Sequence, residues 1–288
     1  MPHSPTRRRA VIFLMLTALL WSSSGLFVKL IAWQPLSILS ARSMISSLVF
    51  LVYLRRWPFP VNRWQVAAAL CYVGAQLFFI TATKLTTAAN AIFLQYTAPL
   101  YVILLGYWLL GERPQRADWI WMPVILVGLV LFFGDRLSLT GMYGNIVAII
   151  SGVALAGTMV CMRGPKIGHP ANAILLGNFI SVLIGLPALA RETWTLANVG
   201  SILYLGVFQI GLSFVLYTIA IQHVPALEAT LILTLEPVLN PVWVFLVLGE
   251  TPGRLALMGG LIVLGAIVAR GISGARAGVA KASTPEPG

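Results

Sequence analysis

Charge is what this chain lacks first. Charged residues fill 9% of its 288 positions and apolar residues 59%, whereas an average soluble domain is roughly a quarter charged. That balance excludes a water-facing globule, and lipid is the solvent it suits. The eight acidic residues and three histidines are few enough to place singly. His3, His169 and His223 fall in tails or loops, and no carboxylate pair falls mid-way along an apolar run. An intramembrane enzyme would need a nucleophile–base pair or a metal cluster there, so that class is remote and neither metal nor cofactor is expected. Cys71 and Cys161 lack the spacing of a disulfide framework or a zinc site. They read as small hydrophobes in helix contacts. No polar stretch is long enough to hold a soluble domain.

What is present is a series of apolar runs punctuated by short basic ones. A bilayer core takes about 20 apolar residues per helix. By that measure ten spans are expected, near Ala10–Ile31, Leu36–Leu54, Trp64–Thr83, Ala88–Leu110, Ala117–Gly134, Met142–Met162, Ala171–Ala190, Asn198–Ile221, Pro225–Leu248 and Arg254–Ala269. The net charge of +11 does not point to nucleic acid, because the basic residues sit between spans, where they set topology. With the amino terminus cytoplasmic, thirteen of the 19 Lys and Arg residues fall on the inner side, which puts both termini inside. Arg7-Arg8-Arg9 before an apolar run also fits a cleaved signal peptide, but cleavage would remove one span and is the lesser reading.

Two stretches repeat each other without a gap. Sliding residues 88–116 along by 138 positions puts Ala88 on Ala226, Pro99 on Pro237, Gly111 on Gly249, Glu112 on Glu250 and Pro114 on Pro252. Five spans separate the copies, so the second crosses the membrane in the opposite sense. Inverted halves are a common construction of secondary transporters, with the binding site near mid-membrane at paired helix interruptions. The chain divides into a basic tail over residues 1–9, one five-helix repeat over 10–134, an inverted repeat over 141–270 and a disordered tail over 271–288.

Glu236 lies about 16 Å into the ninth span, where an acid costs about 2.5–3.5 kcal/mol and should face protein or water. It precedes Pro237, and Asn240 shares its helix face. Two roles fit it: holding a substrate amine or a coupling proton, or tying a kinked helix to its neighbour. Glu112 and Glu250 occupy equivalent Gly-Glu-x-Pro turns, where Gly closes one helix left-handed and Pro opens the next; a role in a gate is the lesser reading for both. Other polar residues fall on helical stripes, Tyr72 with Gln76 and Gln209, Ser213 and Tyr217 at four-residue intervals, while Gln95 and Tyr96 lie within a turn of Pro99. Trp21 precedes Ser22, Ser23 and Ser24. Each alone reads as an interhelical hydrogen bond; together they make candidates for a cavity, with Trp21, Tyr72, Tyr96 and Tyr217 as its apolar wall. Asn178 is the strongly polar residue of the seventh span. Lys29 near the outer end of the first span can snorkel. Arg42, about 9 Å inside the second, either holds a carboxylate or phosphate or reaches the interface, and the interface is the favoured reading.

Trp21-Ser22-Ser23-Ser24-Gly25, Leu110-Gly111-Glu112-Arg113-Pro114 after Pro99, and Leu235-Glu236-Pro237 through Leu248-Gly249-Glu250-Thr251-Pro252 resemble the EamA-type members of the drug/metabolite transporter superfamily. Within it the chain looks most like the YddG-type amino-acid exporters. The resemblance implies an all-α integral membrane protein, five plus five inverted helices around a central cavity lined mainly by spans one, three, four, six, eight and nine. It also implies export of amino acids, often aromatic or bulky apolar ones, from a cell membrane by alternating access. Broad efflux of toxic organic cations is the alternative. The partners so implied are a small-molecule substrate and membrane lipids, with a proton as the candidate coupling ion. Span six offers few polar groups beyond Ser151 and Thr158, so its share of the lining stays open.

Overall fold

The computed structural model describes residues 5–55, 61–86, 88–114, 116–134, 141–165, 167–239, 243 and 254–282. Among them the regular structure is all helical, as lipid demands when every backbone N–H and C=O must be satisfied within its own segment. Seven helices are long and apolar enough to cross a membrane, and two shorter apolar helices lie at Asp118–Phe132 and Leu257–Ala269. The predicted ninth span runs out of the described residues after Leu239, save for Trp243.

In chain order the helices are α1 (Pro5–Trp21), α2 (Ser24–Leu30), α3 (Pro35–Leu54), α4 (Arg63–Leu85), α5 (Ala88–Gln95), α6 (Ala98–Leu110), α7 (Arg116–Phe133), α8 (Met142–Cys161), α9 (Ala171–Leu189) and α10 (Leu196–Tyr204). A π-helix over Leu205–Leu212 follows, then α11 (Ser213–Ala220), α12 (Ala226–Leu233) and α13 (Arg254–Ala282). The ends differ from expectation. The helix begins within the basic tail, at Pro5, and α13 continues through much of the tail predicted to be disordered. Extending a formed helix needs no new nucleus, and the four alanines between Ala275 and Ala282 are strong helix formers.

Three of the breaks have local causes. Between α1 and α2 the Ser22 hydroxyl donates to the Leu19 carbonyl at 2.6 Å and the Ser23 hydroxyl to Leu20 at 2.7 Å, competing with the backbone ladder. Pro99 removes the N–H that the Gln95 carbonyl would accept, and α5 ends there; Pro237 does the same to the Leu233 carbonyl, and α12 ends there. A short helical stretch over residues 235–239 resumes beyond it. The bounds of α5 and α12 differ by the same 138 positions as the repeated motif. Gly111 closes α6 at φ +66°, where its N–H reaches the Tyr107 carbonyl at 3.2 Å, the left-handed cap the motif predicted.

Helices then pair through small residues. α3 runs antiparallel to α9: Ser40 donates to the Val182 carbonyl at 3.1 Å, Asn178 to Ser46 at 3.0 Å, and a Cβ on Gly185 would sit 2.3 Å from the Leu36 carbonyl. α7 runs antiparallel to α13, with Gly128 against Gly259 and Val263, and Phe132 against Gly259. α4 pairs with α8, and α1 with α11 and α12. Leu48, Val52, Leu104 and Trp108 are exposed on the outer faces of their helices, as lipid-facing side chains should be.

Candidate functional site

Where the broken helices cross, a cavity is lined by Trp21 and Ser24 from the α1–α2 break, Arg42 from α3, and Tyr72, Gln76 and Phe79 from α4. Gln95 of α5, Leu155 and Thr158 of α8, Gln209 of the π-helix, Phe214 of α11 and Glu236 complete it. It encloses about 40 Å³, room for a water or two and not for an amino acid. Seven of the cavity candidates read from the sequence line it: Trp21, Ser24, Tyr72, Gln76, Gln95, Gln209 and Glu236. Tyr96, Ser213 and Tyr217 stand behind that lining, and Asn240 lies outside the described residues.

Each polar group has a defined station. Glu236 is buried and accepts a hydrogen bond from the Tyr96 hydroxyl, which also lies 3.1 Å from the Leu233 carbonyl, the one Pro237 leaves without its helical donor. One hydroxyl can therefore serve two states. With Glu236 ionised, Tyr96 donates to it; with Glu236 protonated, the carboxyl donates to Tyr96 and the phenol proton turns to Leu233. With Glu236 protonated every member of the network is satisfied, whereas ionisation takes the donor from the Leu233 carbonyl, so this hydroxyl couples the carboxyl to the break.

The aromatic wall centres on Phe214, whose ring lies 4.8 Å from Trp21, 5.0 Å from Tyr72 and 5.9 Å from Tyr217. Trp21 is fixed by its indole N–H donating to Ser213 Oγ at 2.8 Å. The Tyr72 hydroxyl donates to Asn178 Oδ1 at 2.9 Å, so Tyr72 offers the cavity its ring. Gln95 donates to Ser151, and Ser151 in turn to the Ala75 carbonyl, at 2.7 and 2.8 Å. Span six thus contributes Thr158 and Leu155 to the lining and spends Ser151 on holding Gln95.

Arg42 corrects the expectation that it reaches the interface. It is 1% exposed, donates through Nη2 to Gln76 Oε1 at 2.9 Å, and lines the cavity. Its helix is covered along one face by Ser37, Ser40, Ser43 and Ser47, all buried, and that serine stripe was the available sign that α3 faces protein. The π-helix packs here: a Cβ on Gly206 would sit 3.0 Å from the Arg42 carbonyl. π segments are frequent at functional sites, and this one carries Gln209, whose Oε1 is buried without a partner. Phe79 and Phe214 gave no signal beyond being apolar.

At one end of the bundle, remote from this cavity, ion pairs tie the chain together. Arg163 donates to Glu112 at 2.7 Å and to the carbonyls of Ile221 and Val224 at 2.6 and 2.5 Å; Arg7 donates to Glu228 at 2.5 Å. Glu112 therefore closes a contact across the chain as well as its own turn, whereas Glu250 lies outside the described residues, and Lys29 is described by its backbone alone. At the opposite end the closure is largely apolar, with Trp33 against Trp194 at 4.8 Å and Phe27 stacked on Tyr204 at 4.1 Å. Among the described residues no cluster could hold a metal ion.

This arrangement has known relatives. The chain is 28% identical over 258 residues to an uncharacterized transporter of Archaeoglobus fulgidus, covering 88% of this chain and 93% of that one. It is 27% identical over 238 residues to the pseudopaline exporter CntI of Pseudomonas aeruginosa, covering 79% and 83%. It is 24% identical over 242 residues to the threonine/homoserine exporter RhtA of Escherichia coli, covering 79% and 77%. A solved crystal structure shares the fold at a TM-score of 0.77 and 21% identity, over 94% of this chain and 98% of that one. The EamA-like transporter family matches residues 8–134 and again residues 142–270, and the chain, matched over most of its length, belongs to it.

Proposed function

We propose that this chain is a secondary transporter that exports small metabolites, amino acids with aromatic or bulky apolar side chains among them. It works by alternating access between two inverted five-helix halves in the cell membrane, with both termini cytoplasmic. The observation that carries the reading is the cavity itself. Two proline-broken segments meet at it, and its lining combines the aromatic rings of Trp21, Phe214 and Tyr72 with the polar heads of Arg42, Gln209 and Glu236.

Inversion is supported by how the helices pair. α3 and α9 are counterparts under the repeat, as are α7 and α13, and each pair packs antiparallel. Counterparts related by an axis in the membrane plane must do so. The pairing of α4 with α8 likewise has its counterpart in that of α11 with α1. The small cavity then belongs to a closed conformation, and the halves must part for substrate to enter. On the predicted topology the Arg163–Glu112 and Arg7–Glu228 pairs lie at the cytoplasmic end, and both break when that end opens.

Glu236 is the coupling residue in this reading, because it is a buried carboxyl in the cavity lining whose protonation decides whether the Tyr96 hydroxyl serves it or the Leu233 carbonyl. A carboxylate beside aromatic rings would also attract organic cations, which is what a drug-efflux reading needs, but Arg42 in the same wall repels them. The test is release of labelled metabolites from liposomes holding the purified protein, with and without a proton gradient. Amino-acid release accelerated by the gradient supports the proposal. Release of organic cations alone would replace it.

A further inference from the structure

Among the described residues the cavity wall contains a buried cation that forms no ion pair. Among the described residues Arg7 and Arg163 form ion pairs with carboxylates although their side chains are 29% and 20% exposed. Arg42, more deeply buried than either, has none. Its neighbour is the neutral carbonyl of Gln76, and its Nε has no partner at all. An uncompensated guanidinium in a protein interior costs several kcal/mol, and α3 is too firmly packed against α9 and the π-helix for the side chain to escape. The same wall holds a second unanswered group of opposite sense, the acceptor Gln209 Oε1, and the carboxyl of Glu236.

Resting on the exporter reading above and naming its substrate class, we propose that Arg42 is the carboxylate-binding residue of the site. The substrates are small zwitterions whose carboxylate pairs with Arg42 and whose ammonium faces Glu236 and Gln209. A guanidinium is the side chain best shaped for a carboxylate, binding it through two parallel N–H donors, and here Nε is already free. The Arg42–Gln76 bond holds the fork in place while no substrate is bound. An aromatic or branched side chain would then lie along Phe214 and Trp21. A permanent organic cation lacks the group Arg42 needs and meets its charge instead.

The test uses the full chain in detergent and in liposomes, with phenylalanine, 3-phenylpropanoate and phenethylamine as probes. They share a ring and differ in which charged group they carry. Ligand-induced rise in unfolding temperature reports affinity. In the unmodified protein both carboxylates should bind, with phenethylamine weaker by about tenfold or more. Arg42→Gln should abolish the preference for carboxylates. Gln76→Glu supplies the missing counter-ion internally, so it should leave the protein folded and weaken phenylalanine by about tenfold or more; it decides the matter if Arg42→Gln fails to fold. Phenylalanine binding to both variants within about twofold of the parent, or no carboxylate binding to the parent, overturns the proposal. Sulfate buffers allow chloride to be added separately, and chloride binding through Arg42 without any carboxylate effect also overturns it. If the parent binds carboxylates through Arg42 yet releases none from liposomes, the exporter reading fails and this assignment stands. If both the parent and Arg42→Gln export phenylalanine equally, the assignment fails and the exporter reading stands.

Discussion

Pro99 and Pro237 interrupt their helices at matching positions, and the two breaks are finished by different chemistry. At the first, Gly152 lets α8 approach until a Cβ there would lie 2.9 Å from the freed Gln95 carbonyl, and the Gln95 amide is tied to Ser151. The position before Pro99 is Ala98, fully buried. At the second, the freed Leu233 carbonyl faces the hydroxyl of Tyr96, which belongs to the first break, and the position before Pro237 is Glu236. The repeated motif carries one helix break twice, with bounds 138 positions apart. One copy was closed with neutral hydrogen bonds, and the other received a titratable group that leans on its sibling.

That difference can be broken from either side. The largest effect is expected from Glu236→Gln, which keeps shape and hydrogen bonding but cannot release a proton: gradient-driven flux in liposomes should fall to the rate seen without a gradient. Unchanged gradient dependence would take the coupling role away from Glu236. Ala98→Glu puts the acid in the other break, where the repeat counterpart of Tyr96 is Thr234. It should destabilise the protein by about 3 kcal/mol in denaturant titrations, and a neutral effect would show the breaks to be interchangeable. Tyr96→Phe leaves Leu233 and Glu236 without their shared donor and should cost about 1–3 kcal/mol, with a changed pH profile of transport. Ser151→Ala, in the neutral break, should cost only about 1 kcal/mol and leave the pH profile as it was. If Ser151→Ala alters that profile, the division of labour is wrong.

The proline breaks, the Gly111 cap and most of the polar lining were legible in the sequence because each rests on local chemistry: a missing N–H, a positive φ, polar residues four apart. The orientation of whole helices was not. In a soluble protein an apolar stripe marks the inward face, but in lipid both faces of a helix are apolar, and rotation is set by packing against neighbours. Hence the sequence leaves Arg42 open between an anion site and the interface, with the interface favoured, and does not tell Phe214 and Phe79 from lipid-facing phenylalanines. Tyr96 and Tyr217 show the same limit, since adjacency to Gln95 or a stripe shared with Gln209 does not bring their rings to the surface of the cavity. Both chain ends were read as tails because their composition is polar and small, and helices that start or finish in water leave little hydropathy signal.

The π-helix has an evolutionary corollary. A π turn is what remains when one extra residue is inserted into an α-helix, and deleting that residue restores the ordinary turn. Such a change would be absorbed within the turn itself, leaving α10 on one side and α11 with its grip on Trp21 on the other in register. A relative missing one position between Leu205 and Leu212 would present a different side chain where Gln209 now stands, so a single codon lost or gained offers this lineage a short route to a new cargo.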